Sequence, residues 1–524
     1  MLDDIGKTND KIYKSPIKKL VKFFEISRNK WKVKCQDVKY KNKLLKNKIR
    51  YLERRKADLN KRVKELEKEL GQSSLKKNLQ MRGIADRFNL VPAFHKYSID
   101  HIHMFILLIL SGRTGLRGAS RVFEIISSFL DLGQLSPSWY SGRLWLLRIG
   151  YYKLCREKEI ADDWIWIIDH TIQLGNEKCL VILGIRQSSL PSAGLYLNHE
   201  DVEPISLLPV KKSNGEVVYQ QLEQAIEKTG VPREIISDHG TDVKSGIERF
   251  CQEHEQTCFI YDIKHKVAAI LKRELKDDQD WSNFVQNASK TSKRVQQTSL
   301  AQLAPPNQRS KARYLNVDTL VTWGQDMLCY LDCPEVEVDG KYDLNQINDK
   351  LGWLNEYREH LAQWWELIDV VKSAENYIKF VGIYRNCHID LSKELDSCLK
   401  TNRAIRVRNE LIFFAEQLSL NAREGERLLG SSEIIESVIG KFKSLEQDQS
   451  KSGFTAMILS LASMLSETTQ DVIQKAIESV PTKKVFEWVK ENIGQSVQSK
   501  KKEVLSLVRE TEQIRDQNMA TREG

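Results

Sequence analysis

The sequence predicts a mixed α/β core that is interrupted by an all-helical insertion and preceded by a coiled coil and a helical domain. Three observations lead to this prediction. Apolar residues recur at heptad spacing near the N-terminus, the periodicity changes to that of strands at Trp164, and an aromatic-rich helical pattern follows residue 275. A chain of 524 residues is also too long for one compact core.

The sequence pattern of residues 16–70 predicts a long basic helix. From Trp31 onwards, apolar residues fall on alternating steps of four and three, and Asn42 and Lys56 take the remaining seam positions, which is typical of a coiled coil. Residues 11–70 contain 22 Lys and Arg residues but 7 Asp and Glu residues, a net charge of +15 in a chain whose total is +10. The pattern favours a dimerisation helix whose basic faces contact DNA phosphates, with a solvated helix as the alternative.

A compact helical unit is predicted for residues 95–155. One helix begins near Gly118, and a second begins at residues 136–138, where serine can cap a helix and proline suits its first turn. Two short helices around a glycine-containing turn resemble a helix-turn-helix. In that arrangement Arg143 and Arg148 reach a DNA groove. Plain helical packing is the alternative.

From Trp164 the pattern predicts strands, and then strands that alternate with helices. The order is β-β-β-α-β-α-β-α, with strands at residues 164–169, 179–185, 205–210, 234–237 and 257–261 and helices at residues 216–228, 245–255 and 264–275. A three-strand meander followed by alternating strands and helices implies a mixed sheet with a parallel half. Right-handed crossovers place the fourth strand beside the first.

Asp169 ends the first predicted strand, and Asp238 ends the fourth. Their carboxylates would meet at neighbouring strand ends, where open α/β sheets bind ligands. Two carboxylates in that position repel one another unless a cation lies between them, and oxygen ligands suit Mg²⁺ or Mn²⁺. Aspartate is also common at strand ends, where turn amides satisfy it. The pair, rather than either residue alone, therefore predicts a metal site.

The IDHT stretch at residues 168–171 and the ISDHG stretch at residues 236–240 carry a specific resemblance. They are similar to the ribonuclease H-like domain of DDE transposases and retroviral integrases, and the second stretch resembles the Ser-Asp-Asn-Gly of integrases. In several bacterial insertion-sequence transposases, an insertion separates the fifth strand from a helix that supplies a third acid. Residues 276–425 fit such an insertion. The resemblance covers about residues 160–275 and that helix.

The resemblance implies that a glutamate completes the site. Glu436 lies in the stretch IIESVIGK, which is similar to the glutamate helix of those transposases. Glu433 shares its helix face and Glu274 is nearer in sequence, so both stay open as alternatives. By this resemblance, Asp169, Asp238 and Glu436 are the catalytic residues and hold two Mg²⁺ or Mn²⁺ ions.

Basic residues near these acids and on the helical unit are further candidates for DNA contacts, although each residue type is more often a solvated surface residue. They are Arg143, Arg148, His239, His265, Lys441 and Lys443. The expected partners are double-stranded DNA, as element ends and target, and a second copy of the chain in a homodimer or higher oligomer.

The resemblance implies a DDE transposase that cleaves DNA and transfers strands to move an insertion sequence. A degenerate transposase and a non-catalytic coiled-coil DNA-binding protein are the alternatives. The expected organisation is a basic coiled coil at 1–75, a helical DNA-binding domain at 76–158, a ribonuclease H-like core at 159–275, a helical insertion at 276–425, a third-acid helix at 426–450 and a C-terminal helical region at 451–524.

The expected location is the cytoplasm of a bacterium, in association with the nucleoid. The longest apolar run, residues 104–110, is far shorter than the roughly 20 residues that span a bilayer. The first residues lack the apolar stretch of a signal peptide. The nine scattered cysteines fit reduced thiols rather than a disulfide framework.

Overall fold

A computed structural model of the chain describes residues 91–129, 136–172, 177–191, 194–307, 317–332, 344–395, 399–447, 455–495 and 499–508, with scattered positions between residues 19 and 56. The chain divides into two compact units, Met1–Arg87 and Phe88–Gly524. In the first unit, Trp31, Cys35 and Lys56 are helical and exposed. The other seam positions of the coiled coil lie outside the described residues, so the coiled coil stays a prediction.

Five strands of the second unit form one mixed sheet. They are β1 (Trp164–Ile172), β2 (Lys178–Arg186), β3 (Glu203–Val210), β4 (Glu234–Ser237) and β5 (Cys258–Tyr261). Their order across the sheet is β3-β2-β1-β4-β5. β1 and β3 run antiparallel to β2, whereas β1, β4 and β5 are mutually parallel. The predicted mixed sheet, with the fourth strand beside the first, is confirmed.

Helices make up most of the rest of the second unit. Among the described residues they are α1 (Ile99–Leu110), α2 (Leu116–Phe129), α3 (Trp139–Cys155), α4 (Gly215–Thr229), α5 (Thr241–Glu253), α6 (Ile263–Leu275), α7 (Gln279–Val295), α8 (Val317–Asp332), α9 (Leu344–Leu351), α10 (Arg358–Val381), α11 (Cys387–Glu394), α12 (Asn402–Ser419), α13 (Glu433–Gln447), α14 (Leu459–Ser463), α15 (Gln470–Ser479) and α16 (Thr482–Asn492). None of the helices described is long and apolar enough to cross a membrane.

Strand alternation gives the sheet two distinct faces. Trp164, Trp166 and Ile168 of β1 are buried in a core that also contains apolar residues of α4 and α5. Ile165 and Ile167, which alternate with them, are buried in a second core that contains the apolar side of α13, and α13 packs on β1. Because successive strand side chains point to opposite faces, each residue of β1 lies on either the α4–α5 face or the α13 face.

The second helix of the predicted helix-turn-helix is a core helix. α3 packs against α2, α14 and α15, and its residues 145–150 are buried. Lys153 of α3 is fully buried, and its Nζ donates to the carbonyl oxygens of Leu465 at 2.6 Å and Ser466 at 2.9 Å. A recognition helix needs one exposed side. The exposed residues of α3 lie at its two ends, Trp139 and Tyr140 in the first turn and Cys155 at the last position, so its middle offers no exposed side.

Arg148 is bonded inside the fold instead of facing solvent. It is 8% exposed. Its Nε donates to the carbonyl oxygen of Val480 at 2.6 Å, and its Nη2 donates to the carbonyl oxygen of Ile477. These carbonyls lie at the C-terminus of α15, where helical oxygens lack a partner within the helix. The prediction that Arg148 reaches a DNA groove is therefore replaced by a role as a buried cap of α15.

The described residues between α6 and α13 are mainly helical, the pattern predicted for residues 276–425. Their core is aromatic: the rings of Trp281 and Trp364 meet edge to face with centroids 5.0 Å apart, and Phe284 lies 5.2 Å from Trp364. Both tryptophans are 2% exposed, so these aromatic residues form part of a core. The long helix α10 also packs against α6, which begins directly after β5.

We expect the substitution Arg148→Met to lower the free energy of unfolding by about 2 kcal/mol, because it leaves two buried carbonyl oxygens without a donor. Urea unfolding followed by circular dichroism measures this loss. Arg121→Met is the matched control, since Arg121 is exposed on α2 and should change stability by less than about 0.5 kcal/mol. Equal effects of the two substitutions would show that the buried contacts of Arg148 contribute nothing.

Candidate active site at the ends of the parallel strands

Asp169 and Asp238 are neighbours at the point where β1 and β4 stop pairing. The last paired residues of these strands are Ile168 and Ser237, so each aspartate is the next residue along its own chain segment. β1 itself continues to Ile172, because residues 170–172 still pair with β2. Asp169 therefore lies within β1 rather than at its end, which corrects the predicted strand boundary.

Asp169 projects from the α13 face of the sheet. It has the same alternation as Ile165 and Ile167, which are buried in the core beneath α13. Ile236 of β4 belongs to the same core, and Asp238 lies two residues beyond it. The two predicted aspartates thus share the face on which the helix with Glu436 packs.

Asp262 holds the segment that brings Glu436 to this face. Asp262 is 1% exposed and follows β5 directly. Its carboxylate accepts hydrogen bonds from the backbone N–H of Ser432 at 2.6 Å, the hydroxyl of Ser432 at 2.9 Å and the backbone N–H of His265 at 2.8 Å. Its own N–H donates to the carbonyl oxygen of Ser237. One buried carboxylate therefore connects the ends of β4 and β5 to the starts of α6 and α13.

Two basic side chains bind the carboxylate of Glu436. Nζ of Lys264 donates to Oε2 at 2.7 Å, and Nε2 of His265 lies 3.0 Å from Oε1. The three side chains are 28–32% exposed, so solvent reaches them. Both basic residues come from the first turn of α6. Each oxygen of Glu436 consequently has its own cationic or hydrogen-bonding partner.

Burial and neighbouring negative charges raise the pKa of Asp169 to about 7. Burial is the largest cause, and the negative charge of Asp238 is the second. A hydrogen bond from the N–H of His170, at 2.6 Å, partly offsets them, and Glu436 adds further repulsion. Asp238 and Glu436 are therefore both close enough to act on Asp169. Like charges that share a buried site favour the protonated form of one member.

The pKa of Glu436 shifts in the opposite direction. Burial raises it, but hydrogen bonds from His265 and Lys264 outweigh burial and bring the pKa of Glu436 down to about 2. The pKa of His265 is raised, chiefly by the same hydrogen bond. The negative charge of Glu436 is thus balanced by two basic partners. Asp169, in contrast, is repelled by the charges of Asp238 and Glu436.

Carboxylate oxygens are suitable ligands for Mg²⁺ or Mn²⁺. The chemistry of this donor set therefore fits the implied ions. Within the described parts of the chain, however, no group of three or more His, Cys, Asp and Glu side chains is gathered closely enough to hold a metal ion. The ammonium group of Lys264 forms an ion pair with the carboxylate of Glu436. That carboxylate is the third ligand that the implied metal site would need.

The two alternative third acids lie elsewhere. Glu433 forms an ion pair with Lys379 of α10 and is not among the charges that act on Asp169. Glu274 bonds to Arg273 and Arg403. It also lies at the far end of α6, about 15 Å along the helix from the site at 1.5 Å per residue. Of the three glutamates that the sequence left open, Glu436 is the one that acts on Asp169.

The histidines that follow the aspartates face away from Glu436. His170 alternates with Asp169, so it lies on the α4–α5 face, where its Nδ1 is 3.5 Å from Asp242. His239 stacks on Tyr261 with ring centroids 3.5 Å apart. Burial is the first cause that lowers the pKa of each histidine to about 4. The structure therefore brings His265, rather than His239, to the acidic residues.

The remaining candidates for DNA contacts are scattered. Arg143 is half-buried on α3 and Lys443 is exposed on α13. Lys441 lines a cleft of about 970 Å³ with Arg113 and His199, but several carboxylates line the same cleft. This mixed lining does not single out an anion. The cleft also contains neither aspartate of the candidate active site.

One contributor to the site was missed in the sequence. Lys264 binds Glu436, and it lies two residues after Asp262, which holds α13 in place. The available signal was the DIKHK stretch at residues 262–266, where a capping aspartate precedes a basic first turn directly after the last strand. Only the folded chain shows that this turn meets residue 436.

Comparisons with known proteins leave the family open. No protein-family model matches this chain. A search of curated proteins finds no match either.

The raised pKa of Asp169 makes stability depend on pH. Asp169 binds its proton more tightly in the folded than in the unfolded protein, so its contribution to stability falls as the pH rises from about 4 to about 7. We expect Asp169→Asn to remove this loss and to be more stable than the wild type by about 1–3 kcal/mol at pH 8. The difference should shrink towards pH 4.

Denaturant unfolding of both proteins at several pH values between 4 and 8, without divalent ions, measures this difference. A difference that is independent of pH would mean that Asp169 has an ordinary pKa and that no repulsion is concentrated there. Asp277→Asn serves as the control, because Asp277 is exposed and has no hydrogen bond or ion pair with any described residue.

Proposed function

We propose that this protein is a transposase of the DDE type, which cleaves DNA strands and joins their 3′ ends to new DNA with the help of divalent metal ions. One observation carries the proposal. Asp169 and Asp238 follow the last paired residues of two adjacent parallel strands, and Glu436 lies on the helix that packs on the same face. The IDHT and ISDHG stretches that resemble this family contain these same aspartates.

The fold supports this proposal at a coarser level. The five-stranded mixed sheet followed by a block of helices is compatible with a ribonuclease H-like core that holds a helical insertion. The insertion would be the aromatic block from α7 to α12. It separates β5 from α13 by more than 150 residues, and Asp262 bridges that gap by binding Ser432. The third acid is consequently anchored to the sheet despite its distance in sequence.

The proposed ions are two Mg²⁺ or Mn²⁺ ions, held by Asp169, Asp238 and Glu436. When bound, such ions supply activation of water or a 3′-hydroxyl and stabilisation of the leaving oxygen. The protein's own share is geometric and electrostatic. Asp169 and Asp238 concentrate negative charge at one strand end, and the site is open to solvent on the side of Lys264 and His265. In this proposal, His265 contacts a DNA phosphate when it is not bonded to Glu436.

The proposed partner is double-stranded DNA, and the proposed assembly is a homodimer or higher oligomer in the bacterial cytoplasm. The basic segment at residues 11–70 supports DNA binding, because 22 basic residues against 7 acidic ones attract the phosphate backbone. Its heptad spacing supports association between two copies.

The direct test is cleavage and strand transfer on DNA that carries the repeats flanking the protein's own gene, with Mg²⁺. We expect Asp169→Asn, Asp238→Asn and Glu436→Gln each to lower the rate by about 10³-fold or more, because each removes an ion ligand and several kcal/mol of transition-state stabilisation. Glu433→Gln is the matched control. It lies one turn earlier on the same helix and pairs with Lys379, so its rate should stay within about threefold of the wild type.

Two outcomes count against the proposal. Wild-type protein that binds this DNA without cutting it, with binding unchanged in Asp169→Asn, would favour the non-catalytic DNA-binding alternative. Cleavage that depends on Asp169 but yields no joined product would point to a nuclease with the same site.

A further inference from the structure

The carboxylate of Glu436 is paired with a basic side chain of the same protein. Lys264 and His265 bind its two oxygens, at 2.7 Å and 3.0 Å. A divalent ion that used Glu436 as a ligand would meet the ammonium group of Lys264 on the same carboxylate. Two cations that share one carboxylate repel each other, so the ion and Lys264 compete.

A second carboxylate lies beside Lys264. Glu375 of α10 is half-buried, and it has no hydrogen bond or ion pair in the described parts of the chain. Burial raises its pKa, and Lys264 is the charge that most opposes this rise. Lys264 and Glu375 also line one small cavity of about 140 Å³ between α6 and α10. This cavity offers the flexible lysine side chain a second position.

An ion pair joins the helix that carries Glu375 to the helix that carries Glu436. Lys379, one turn after Glu375 on α10, forms an ion pair with Glu433, one turn before Glu436 on α13. α10 also packs against α6. Lys264 therefore lies near two carboxylates on separate helices that an ion pair joins. A change of its side-chain rotamer, without any movement of the backbone, can exchange one carboxylate for the other.

We infer that Lys264 is a positioning residue: it neutralises Glu436 while the site holds no divalent ion, and it transfers to Glu375 when an ion binds. This inference rests on the proposed function, since it requires a divalent ion at Asp169, Asp238 and Glu436. It gives the helical insertion a role at the active site. α10 provides the acceptor that receives the displaced lysine.

The test is a Mn²⁺ titration of the full-length protein by isothermal titration calorimetry. Lys264→Met removes the competing cation, so Mn²⁺ should bind roughly 3- to 10-fold more tightly, in line with the strength of a partly exposed ion pair. Glu375→Gln removes the alternative partner, so Mn²⁺ should bind roughly 3- to 10-fold more weakly. Lys266→Met is the matched control. It removes a lysine from the same helix turn that pairs with Glu410 instead, and the affinity should not change.

A double variant separates the transfer of Lys264 from a general effect of charge. Glu375→Gln in the Lys264→Met background should leave the affinity unchanged, because no lysine remains to be received. An equal weakening in both backgrounds would mean that Glu375 acts only as a distant negative charge, and it would overturn the inference. Glu375→Gln leaves the contacts of Glu436 untouched, so it remains informative if Lys264→Met folds poorly.

The inference and the proposed function fail in different ways. Mn²⁺ binding that is lost in Asp169→Asn but unchanged in Lys264→Met overturns the role of Lys264 and leaves the metal site intact. Absence of Mn²⁺ binding by the wild type, or binding that survives Asp169→Asn, overturns the metal site and the role of Lys264 with it.

Discussion

The repulsion between carboxylates on one face of the sheet is the constraint on which the site depends. Asp169 and Asp238 lie next to each other because β1 and β4 are parallel and stop pairing at the same level. Glu436 lies close enough to add to the repulsion. A protein gains no stability from such an arrangement, and burial together with this repulsion raises the pKa of Asp169 to about 7. A cation at this position, or a proton, relieves that repulsion.

The surrounding fold keeps these charges together. Asp262 binds Ser432 and caps α6, so a single buried carboxylate sets both the start of α13 and the first turn of α6. That turn provides Lys264 and His265, which compensate Glu436. Each oxygen of Glu436 thereby has a basic partner, whereas Asp169 and Asp238 accept backbone N–H groups, from His170 and Gly240. Under the proposed function, this asymmetry leaves the negative charge of the two aspartates available to a cation.

Much of the sheet could be predicted from the sequence, because its strands are short apolar runs with clear breaks and right-handed crossovers fix the order of the parallel half. The two aspartates could be predicted for the same reason. The end of β1 could not, since residues 170–172 continue by pairing with β2, and that depends on a partner strand. The side of the sheet on which His170 and His239 lie could not be predicted either. It depends on which helices cover each face, and those helices lie far away in sequence.

The prediction for Arg148 shows the limit of local patterns. The local pattern around this arginine, a helix that follows a capped turn, predicts a surface residue. In the structure it is buried against the end of α15, which lies more than 300 residues later in the chain. Lys264 was missed for a related reason: its partner is 172 residues away. Long-range contacts of charged side chains leave no periodic trace in the sequence. Hydrophobic periodicity, in contrast, records which face of each element is buried.

The most direct measurement for this account is a crystal structure of the protein grown with Mn²⁺, with anomalous diffraction used to locate the metal. The account predicts anomalous density between the carboxylates of Asp169 and Asp238, with Glu436 turned towards it and away from Lys264. Anomalous density elsewhere on the protein, with these three carboxylates unchanged, would contradict it.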